Sequence, residues 1–366
     1  MYNKKRGSMM NLRLEASLLA AGMLTIIIFV LLFCFKISAD AKQKQDTKNI
    51  VLLMGQSRKL KIDKAENKDK IQWKSSNQNI VSVSSKGKIK GKKNGRAVVT
   101  GQYKNKKYQY KVIVISKANA DYDSQEVTIG KTYYRDFLVD NVYHSEKNGN
   151  IHYHVYFPDS YDGKKKMALY VTLPGYQGLY FQGVAENIKT EDFAFEAMKY
   201  NSDMVILAPQ LSDWGETSAD QTVSLVEYFL ETYQIDSSKV YINGYSGGGE
   251  TLSLVLEKRP ELFTRALMCS SQWDGEYEPV VKARTPVYFV IGESDEYYSS
   301  KPFKDTYKKL YDMYQEQGLS EKQIQELLVL DVKDSSYFAD TGITYQHGGG
   351  YLFCREKKIM NWLFEK

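Results

Sequence analysis

The sequence predicts an α/β chain. A mostly parallel sheet with flanking helices follows a small all-β sandwich and one N-terminal apolar helix. Three observations carry this expectation. From residue 125 onward, short β-branched and aromatic runs alternate with stretches of helical period. Between residues 42 and 117, short strand-like runs sit between glycine and asparagine turns. Near the start, residues 18–35 (LLAAGMLTIIIFVLLFCF) carry no charge. At 366 residues the chain is long enough for two cores. Its 43% hydrophobic and 26% charged residues are globular values, which sets aside a disordered chain.

The apolar run divides off the first unit, residues 1–41. Its eighteen residues approach the length of a membrane span. Lys4, Lys5, Arg6 and Arg13 precede it and Lys36 follows, so its N-terminal side is expected in the cytoplasm. Ala39-Asp40-Ala41 fits a signal-peptide cleavage site, but the run exceeds an ordinary signal core, which favours an uncleaved anchor. The expected location is the cell membrane with the rest outside, or the exterior if the chain is cut after Ala41. Phe33 before Cys34 argues against a lipid-modified cysteine. Cys269 and Cys354 remain, read as buried thiols whose pairing the sequence does not define.

Charge marks the next boundary. Residues 41–117 hold 21 Lys and Arg against 4 Asp and Glu, whereas residues 118–366 hold 24 against 38. The modest overall net charge of +6 therefore hides two opposed parts. A basic unit beside a membrane suits an anionic cell-wall polymer or lipid headgroups, or the acidic domain of the same chain. Nucleic acid is not expected for an exported protein. Within residues 42–117, Ile80-Val81-Ser82-Val83, Ala97-Val98-Val99-Thr100 and residues 108–114 read as strands of a sandwich. Residues 118–124 read as a linker to a domain spanning 125–366.

In that domain, residues 151–157, 167–173, 204–207, 239–243, 265–269, 287–291 and 327–332 read as strands, and residues 219–233, 250–258 and 304–317 as helices. The fourth strand runs into Gly244-Tyr245-Ser246-Gly247-Gly248, a G-x-S-x-G turn ahead of a helix. A strand, a glycine turn and a helix hold a serine in a strained, exposed position. Such a serine needs a base, and histidine serves at neutral pH. Of four histidines, His144, His152 and His154 precede the turn. His152 and His154 alternate along a strand and read as sheet-surface residues, with a metal pair as the alternative. His347 is the only histidine after the turn, in a glycine-rich loop before a closing helix over residues 351–364.

The acid should fall between serine and histidine in chain order. Asp295 lies just after the strand Pro286-Val287-Tyr288-Phe289-Val290-Ile291 and is the expected partner of His347. Glu293 and Glu296 are near alternatives, and Asp274 a more distant one. The oxyanion needs two N–H donors. Gly247 is expected to supply one. Tyr176 is expected to supply the other, with Gly175 and Gln177 as alternatives in Pro174-Gly175-Tyr176-Gln177-Gly178. Pro174 has no N–H to give.

Two resemblances add to this reading. Trp73-Lys74-Ser75-Ser76-Asn77, Ile80-Val81-Ser82-Val83, Gly87-Lys88-Ile89, Gly91 and Gly95-Arg96-Ala97 resemble the bacterial Ig-like domain of the group 2 type over residues 49–116. This resemblance implies a surface spacer or adhesive module with Trp73 in its core. Tyr156-Phe157-Pro158, residues 235–241 leading into Gly244-Tyr245-Ser246-Gly247-Gly248, and His347-Gly348 before a helix with Trp362 resemble the secreted esterase branch of the α/β-hydrolases. That branch includes polyhydroxybutyrate depolymerases, feruloyl esterases and small predicted peptidases. The resemblance covers residues 125–366 and implies Ser246, Asp295 and His347 as a triad. Pro174 stands where the family usually has histidine.

The expected activity is ester hydrolysis through an acyl-enzyme, with no metal or organic cofactor, on a small or polymer-linked ester. A peptidase with the same residues, or a surface-binding protein with an inactive hydrolase domain, is the alternative.

Overall fold

The computed structural model describes residues 47–62, 71–93, 95–104, 106–115, 126–130 and 132–364. The apolar run at residues 18–35 and the expected linker at residues 118–124 lie outside these. Among the described residues, no helix is long and apolar enough to cross a membrane.

The N-terminal part is a two-sheet sandwich. Its strands are β1 (Thr47–Leu53), β2 (Ser57–Lys59), β3 (Gln72–Ser75), β4 (Val81–Val83), β5 (Lys88–Gly91), β6 (Gly95–Tyr103) and β7 (Lys106–Ile115). One sheet runs β1-β7-β6-β3 and the other β2-β5-β4. In β6, buried residues alternate with half-buried ones along its whole length, as a strand with one covered face must. Ile50, Leu52, Val81, Ile89, Val99 and Val112 meet between the sheets, with half-buried Trp73 packed against them.

The C-terminal part is one large sheet. Its strands are β8 (Val127–Thr128), β9 (Thr132–Tyr134), β10 (Phe137–Ser145), β11 (Gly149–Tyr156), β12 (Met167–Leu173), β13 (Met204–Pro209), β14 (Ile235–Tyr245), β15 (Arg265–Cys269), β16 (Val287–Gly292) and β17 (Leu328–Lys333). The spatial order is β17-β16-β15-β14-β12-β13-β11-β10-β8, with β9 on β10. β12 to β17 pair in parallel, while β8 to β11 join antiparallel.

β12, β13 and β16 are buried at every residue, because both faces are covered. On one face, Leu169, Val171 and Ile242 meet Val226, Phe229, Leu252 and Phe303. On the other, Tyr170, Tyr241 and Tyr288 meet Phe193, Phe353 and Met360. The helices are α1 (Glu186–Lys189), α2 (Phe193–Ala197), α3 (Glu216–Thr232), α4 (Gly247–Lys258), α5 (Glu278–Ala283), α6 (Lys301–Glu316), α7 (Glu321–Leu327), α8 (Ser335–Ala339) and α9 (Lys357–Phe364).

Strand order reverses at β12, which lies between β13 and β14. Leu173 pairs with Gly244, and Tyr245 with Cys269, so these strands end along one edge. Open α/β sheets bind ligands at such a switch point.

Two local expectations change. The stretch after residue 347 is a 3₁₀ helix, His347–Arg355, followed by α9, rather than a loop and one helix. The run Gly348-Gly349-Gly350 disfavours a continuous α-helix. At Gly350 the chain also passes so close to Tyr245 that a Cβ would stand 2.2 Å from its ring. His154 is fully buried, not a sheet-surface residue, because β11 lies between β10 and β13. Its Nδ1 accepts the Asp140 N–H at 2.9 Å and its Nε2 faces Gln210 Oε1 at 3.0 Å. Burial pushes its pKa down to about 4, so it stays neutral. Both nitrogens are occupied, which leaves no metal-ligating position.

Arg96 of β6 reaches from the sandwich to the larger domain. Its Nη1 lies 2.6 Å from Asp159 Oδ1, its Nε 3.1 Å from Asp136 Oδ1, and its guanidinium 5.1 Å from the Tyr156 ring centre. Both carboxylates are more than half exposed, so each pair contributes at most about 1 kcal/mol. Arg96→Ala should therefore loosen the junction without unfolding either domain. Calorimetry should show a slightly lowered sandwich transition with far-UV circular dichroism unchanged.

Candidate active site

Ser246 closes β14 and precedes α4. Its φ of 54° and ψ of −127° are strained for a residue with a side chain. Neighbouring groups hold it there. Its N–H donates to the Cys269 carbonyl at 2.9 Å, and its carbonyl accepts from Ser271 Oγ at 2.6 Å and from the Gly249 N–H at 2.8 Å. The flanking glycines are required by contact. A Cβ on Gly244 would stand 2.2 Å from the Gly248 carbonyl oxygen, and one on Gly248 would stand 2.4 Å from that of Leu173.

Ser246 Oγ lies 3.0 Å from His347 Nε2, and His347 Nδ1 lies 3.0 Å from Asp295 Oδ2. The Asp295 side chain is wholly buried. Its Oδ1 accepts the N–H groups of Tyr297 at 3.1 Å and Tyr298 at 2.9 Å. A carboxylate so placed accepts the proton on Nδ1, which leaves Nε2 to accept the serine hydroxyl.

The alternative acids stand elsewhere. Glu293 is exposed. Asp274 accepts from Gln272 Nε2 at 2.9 Å. Glu296 has a different task. Its Oε2 accepts the His347 N–H at 3.1 Å and its Oε1 the Gln346 N–H at 3.0 Å. Slight desolvation raises the pKa of this exposed carboxyl, but these N–H groups outweigh it and hold it below its ordinary value.

Further contacts fix the His347 turn. Tyr245 Oη donates to the His347 carbonyl at 2.7 Å, and Gln346 Oε1 accepts the Ser294 N–H at 2.9 Å. The rings of Tyr245, Tyr297, Tyr298 and Tyr345 surround the imidazole at centroid distances of 5.3 to 5.9 Å.

Gly247 is the first residue of α4, and Tyr176 opens a 3₁₀ turn, Tyr176–Gly178. The first N–H groups of a helix have no acceptor within it, so both residues can present a donor. The Gly175 backbone runs beside Ser246, where a Cβ on it would stand 3.1 Å from Ser246 Cβ.

No curated protein matches the sequence. Residues 44–114 match the family model of the bacterial Ig-like domain (group 2), and residues 211–313 match that of the prolyl oligopeptidase family. Among solved structures, a thermostable esterase is similar at 15% identity and a TM-score of 0.53, over 88% of this chain and 99% of the esterase. A fluorophosphonate-binding serine hydrolase of Staphylococcus aureus is similar at 12% identity and a TM-score of 0.43, over 63% of this chain and 98% of the other. A prolyl endopeptidase is similar at 11% identity and a TM-score of 0.42, over 74% of this chain and 43% of the other.

The larger domain is a serine hydrolase of the α/β-hydrolase fold.

The hydrolase has a cavity of about 640 Å³ over Ser246 and His347. Tyr176, Trp214, Tyr297, Tyr298, Tyr345 and Tyr351 form much of its wall. Tyr298 Oη donates to Glu250 Oε1 at 2.7 Å, which holds that ring. Trp214 lies against Gly247, where a Cβ would stand 2.3 Å from its ring. The buried indole N–H of Trp214 has no acceptor among the described residues.

Among the described residues, the one carboxyl in this wall is Glu191, only 6% exposed. Its Oε1 accepts the Gly175 N–H at 2.8 Å. Burial drives its pKa up to about 8, against the opposing pull of the Gly175 N–H. Glu191 sits in an unremarkable Lys-Thr-Glu-Asp loop sequence, and nothing local marks it. Glu296 and Gln346 likewise carry no sequence signal beyond proximity to Asp295 and His347.

Two outcomes follow from these contacts. Glu296→Ala should free the His347 turn and lower turnover by about 10- to 100-fold with fold intact, as read by steady-state kinetics beside circular dichroism. Glu191 binds its proton more tightly folded than unfolded. Between pH about 4.5 and 8 the folded state therefore holds the extra proton, and stability falls as pH rises. Glu191→Gln should flatten that fall, measured as urea midpoints at pH 5 and pH 8.

Proposed function

We propose that this hydrolase cleaves carboxylic esters through an acyl-enzyme on Ser246. The observation that supports it best is the continuous line of contacts, Ser246 Oγ to His347 Nε2 and His347 Nδ1 to Asp295 Oδ2, both 3.0 Å. Ser246 Oγ attacks the ester carbonyl carbon while His347 Nε2 takes its proton. Asp295 holds the ring and stabilises the imidazolium. The N–H groups of Gly247 and Tyr176 receive the negative oxygen. As the tetrahedral species collapses, the C–O bond to the alcohol breaks and His347 returns the proton to that oxygen. Water then repeats the attack on the acyl-enzyme and frees the acid and Ser246.

Glu191 supports the Tyr176 side of this arrangement, because it holds the N–H of the preceding residue, Gly175. The ring faces around the cavity suit a flat or apolar substrate group better than a peptide backbone, which needs many polar partners. An ester also expels its leaving group more readily than an amide. Peptide cleavage by the same residues is the second reading, favoured by the prolyl oligopeptidase match over residues 211–313. We propose further that residues 18–35 tether or export the enzyme. Lys4, Lys5, Arg6 and Arg13 on the N-terminal side of that run support this.

A fluorophosphonate probe should label the folded protein, and Ser246→Ala should abolish labelling and lower ester turnover by roughly 10⁴-fold or more. Aryl esters should exceed aminoacyl anilides in kcat/KM. Dominant anilide cleavage would turn the assignment to a peptidase, and absence of Ser246-dependent labelling would end the hydrolytic reading altogether.

A further inference from the structure

The outer face of the β2-β5-β4 sheet carries exposed lysines. The four acids of residues 41–117, Asp46, Asp63, Glu66 and Asp69, all lie outside the described residues. The described part of the sandwich carries fifteen Lys and Arg.

Strand register lines several of these up. Lys59 of β2 stands directly opposite Lys88 of β5, and Ser57 opposite Lys90. On the other side, Ser82 of β4 stands opposite Lys90. Lys88 and Lys90 are exposed, while Ile89 and Gly91 are buried. Side chains two residues apart on a strand are spaced by about 6.6 Å. Lys86 in the preceding turn and Lys92 just past β5 extend the row, and both are exposed. Lys59 Nζ donates to the Lys86 carbonyl. Among the described residues, Lys86, Lys88, Lys90 and Lys92 have no side-chain hydrogen bond or ion pair to a carboxylate.

Like charges directly opposite on a sheet destabilise it. In the hydrolase domain, by contrast, an exposed lysine such as Lys308 has an acid beside it, Asp312 at 2.6 Å. A row of cations that repel one another suits a chain of repeated anions. Lysine, as a compact point charge, suits phosphate.

The rest of the domain narrows the partner. The exposed large hydrophobic side chains of the described structure, such as Tyr176, Phe181, Tyr297 and Tyr345, all belong to the hydrolase domain. The sandwich has no apolar wedge among its described residues to enter a lipid surface and no exposed ring to stack on bases.

We propose that the Lys59-Lys88-Lys90 face binds a linear polyanion of repeated phosphates, and so holds the enzyme on a phosphate-bearing matrix. This binding is separate from the chemistry at Ser246.

The test uses the full chain in a neutral detergent, with immobilised long-chain inorganic polyphosphate as the probe. K59Q/K88Q/K90Q is compared with K106Q/K107Q/K111Q, which removes equal charge from β7 in the other sheet. The first variant should lose about tenfold in affinity, and its log-affinity against log-salt slope should fall by about 2 to 3. The control should lose less than about twofold. The first variant should also melt no lower than the parent, since it relieves repulsion, and aryl-ester turnover should be the same in all three.

Equal losses in the two variants would overturn the proposal in favour of diffuse charge. A parent that does not bind polyphosphate would also overturn it. So would a Lys59-, Lys88- and Lys90-dependent preference for anionic vesicles or single-stranded DNA over polyphosphate. A lowered melting temperature with unchanged affinity would make the row structural.

Discussion

The backbone of Ser246 is the constraint on which the site rests. A positive φ at a residue with a side chain costs on the order of 1–3 kcal/mol. Hydrogen bonds from two segments hold it: Cys269 and Ser271 at the end of β15, and Gly249 in α4. Gly244 and Gly248 then bring α4 so close to β12 and β14 that any larger residue would push it away. That closeness aims Ser246 Oγ out of the sheet edge and leaves the α4 N-terminus beside it. A straighter turn would bury the hydroxyl and separate it from Gly247.

The histidine side is built differently. His347 reaches Ser246 across 101 residues of chain and Asp295 across 52. No strand carries it. A 3₁₀ turn does, held by Glu296 on its N–H, by Tyr245 on its carbonyl and by Gln346 on the facing loop. The same tyrosine follows Gly244 on β14, so one residue couples the serine strand to the histidine turn. The four tyrosine rings around the imidazole exclude water from much of it, which strengthens its contact with the carboxylate.

Charge is distributed by domain rather than by site. The Ig-like sandwich is basic and the hydrolase domain acidic, yet the cavity wall is mostly aromatic with a single buried carboxyl. The exposed lysines of β5 and the aromatic wall over Ser246 are therefore separate surfaces. Arg96 joins the two parts through Asp136 and Asp159.

The sequence alone determined what depends on neighbours in the chain. The G-x-S-x-G turn between a strand and a helix, the buried runs ending at Leu173 and Gly292, and the short strands of the sandwich are all local patterns. Having one histidine after Ser246 narrowed the choice of base by elimination. Tertiary structure decided what depends on distant segments meeting. Glu296 and Glu293 look alike in sequence, but only Glu296 faces the His347 turn. Glu191 became an acid of unusual pKa because folding buried it against Gly175. His154 shares the alternation of His152, yet β13 and Gln210 enclose it. A side chain's chemistry is written in the sequence, but its burial and its partner are set by residues that lie far away until the sheet closes.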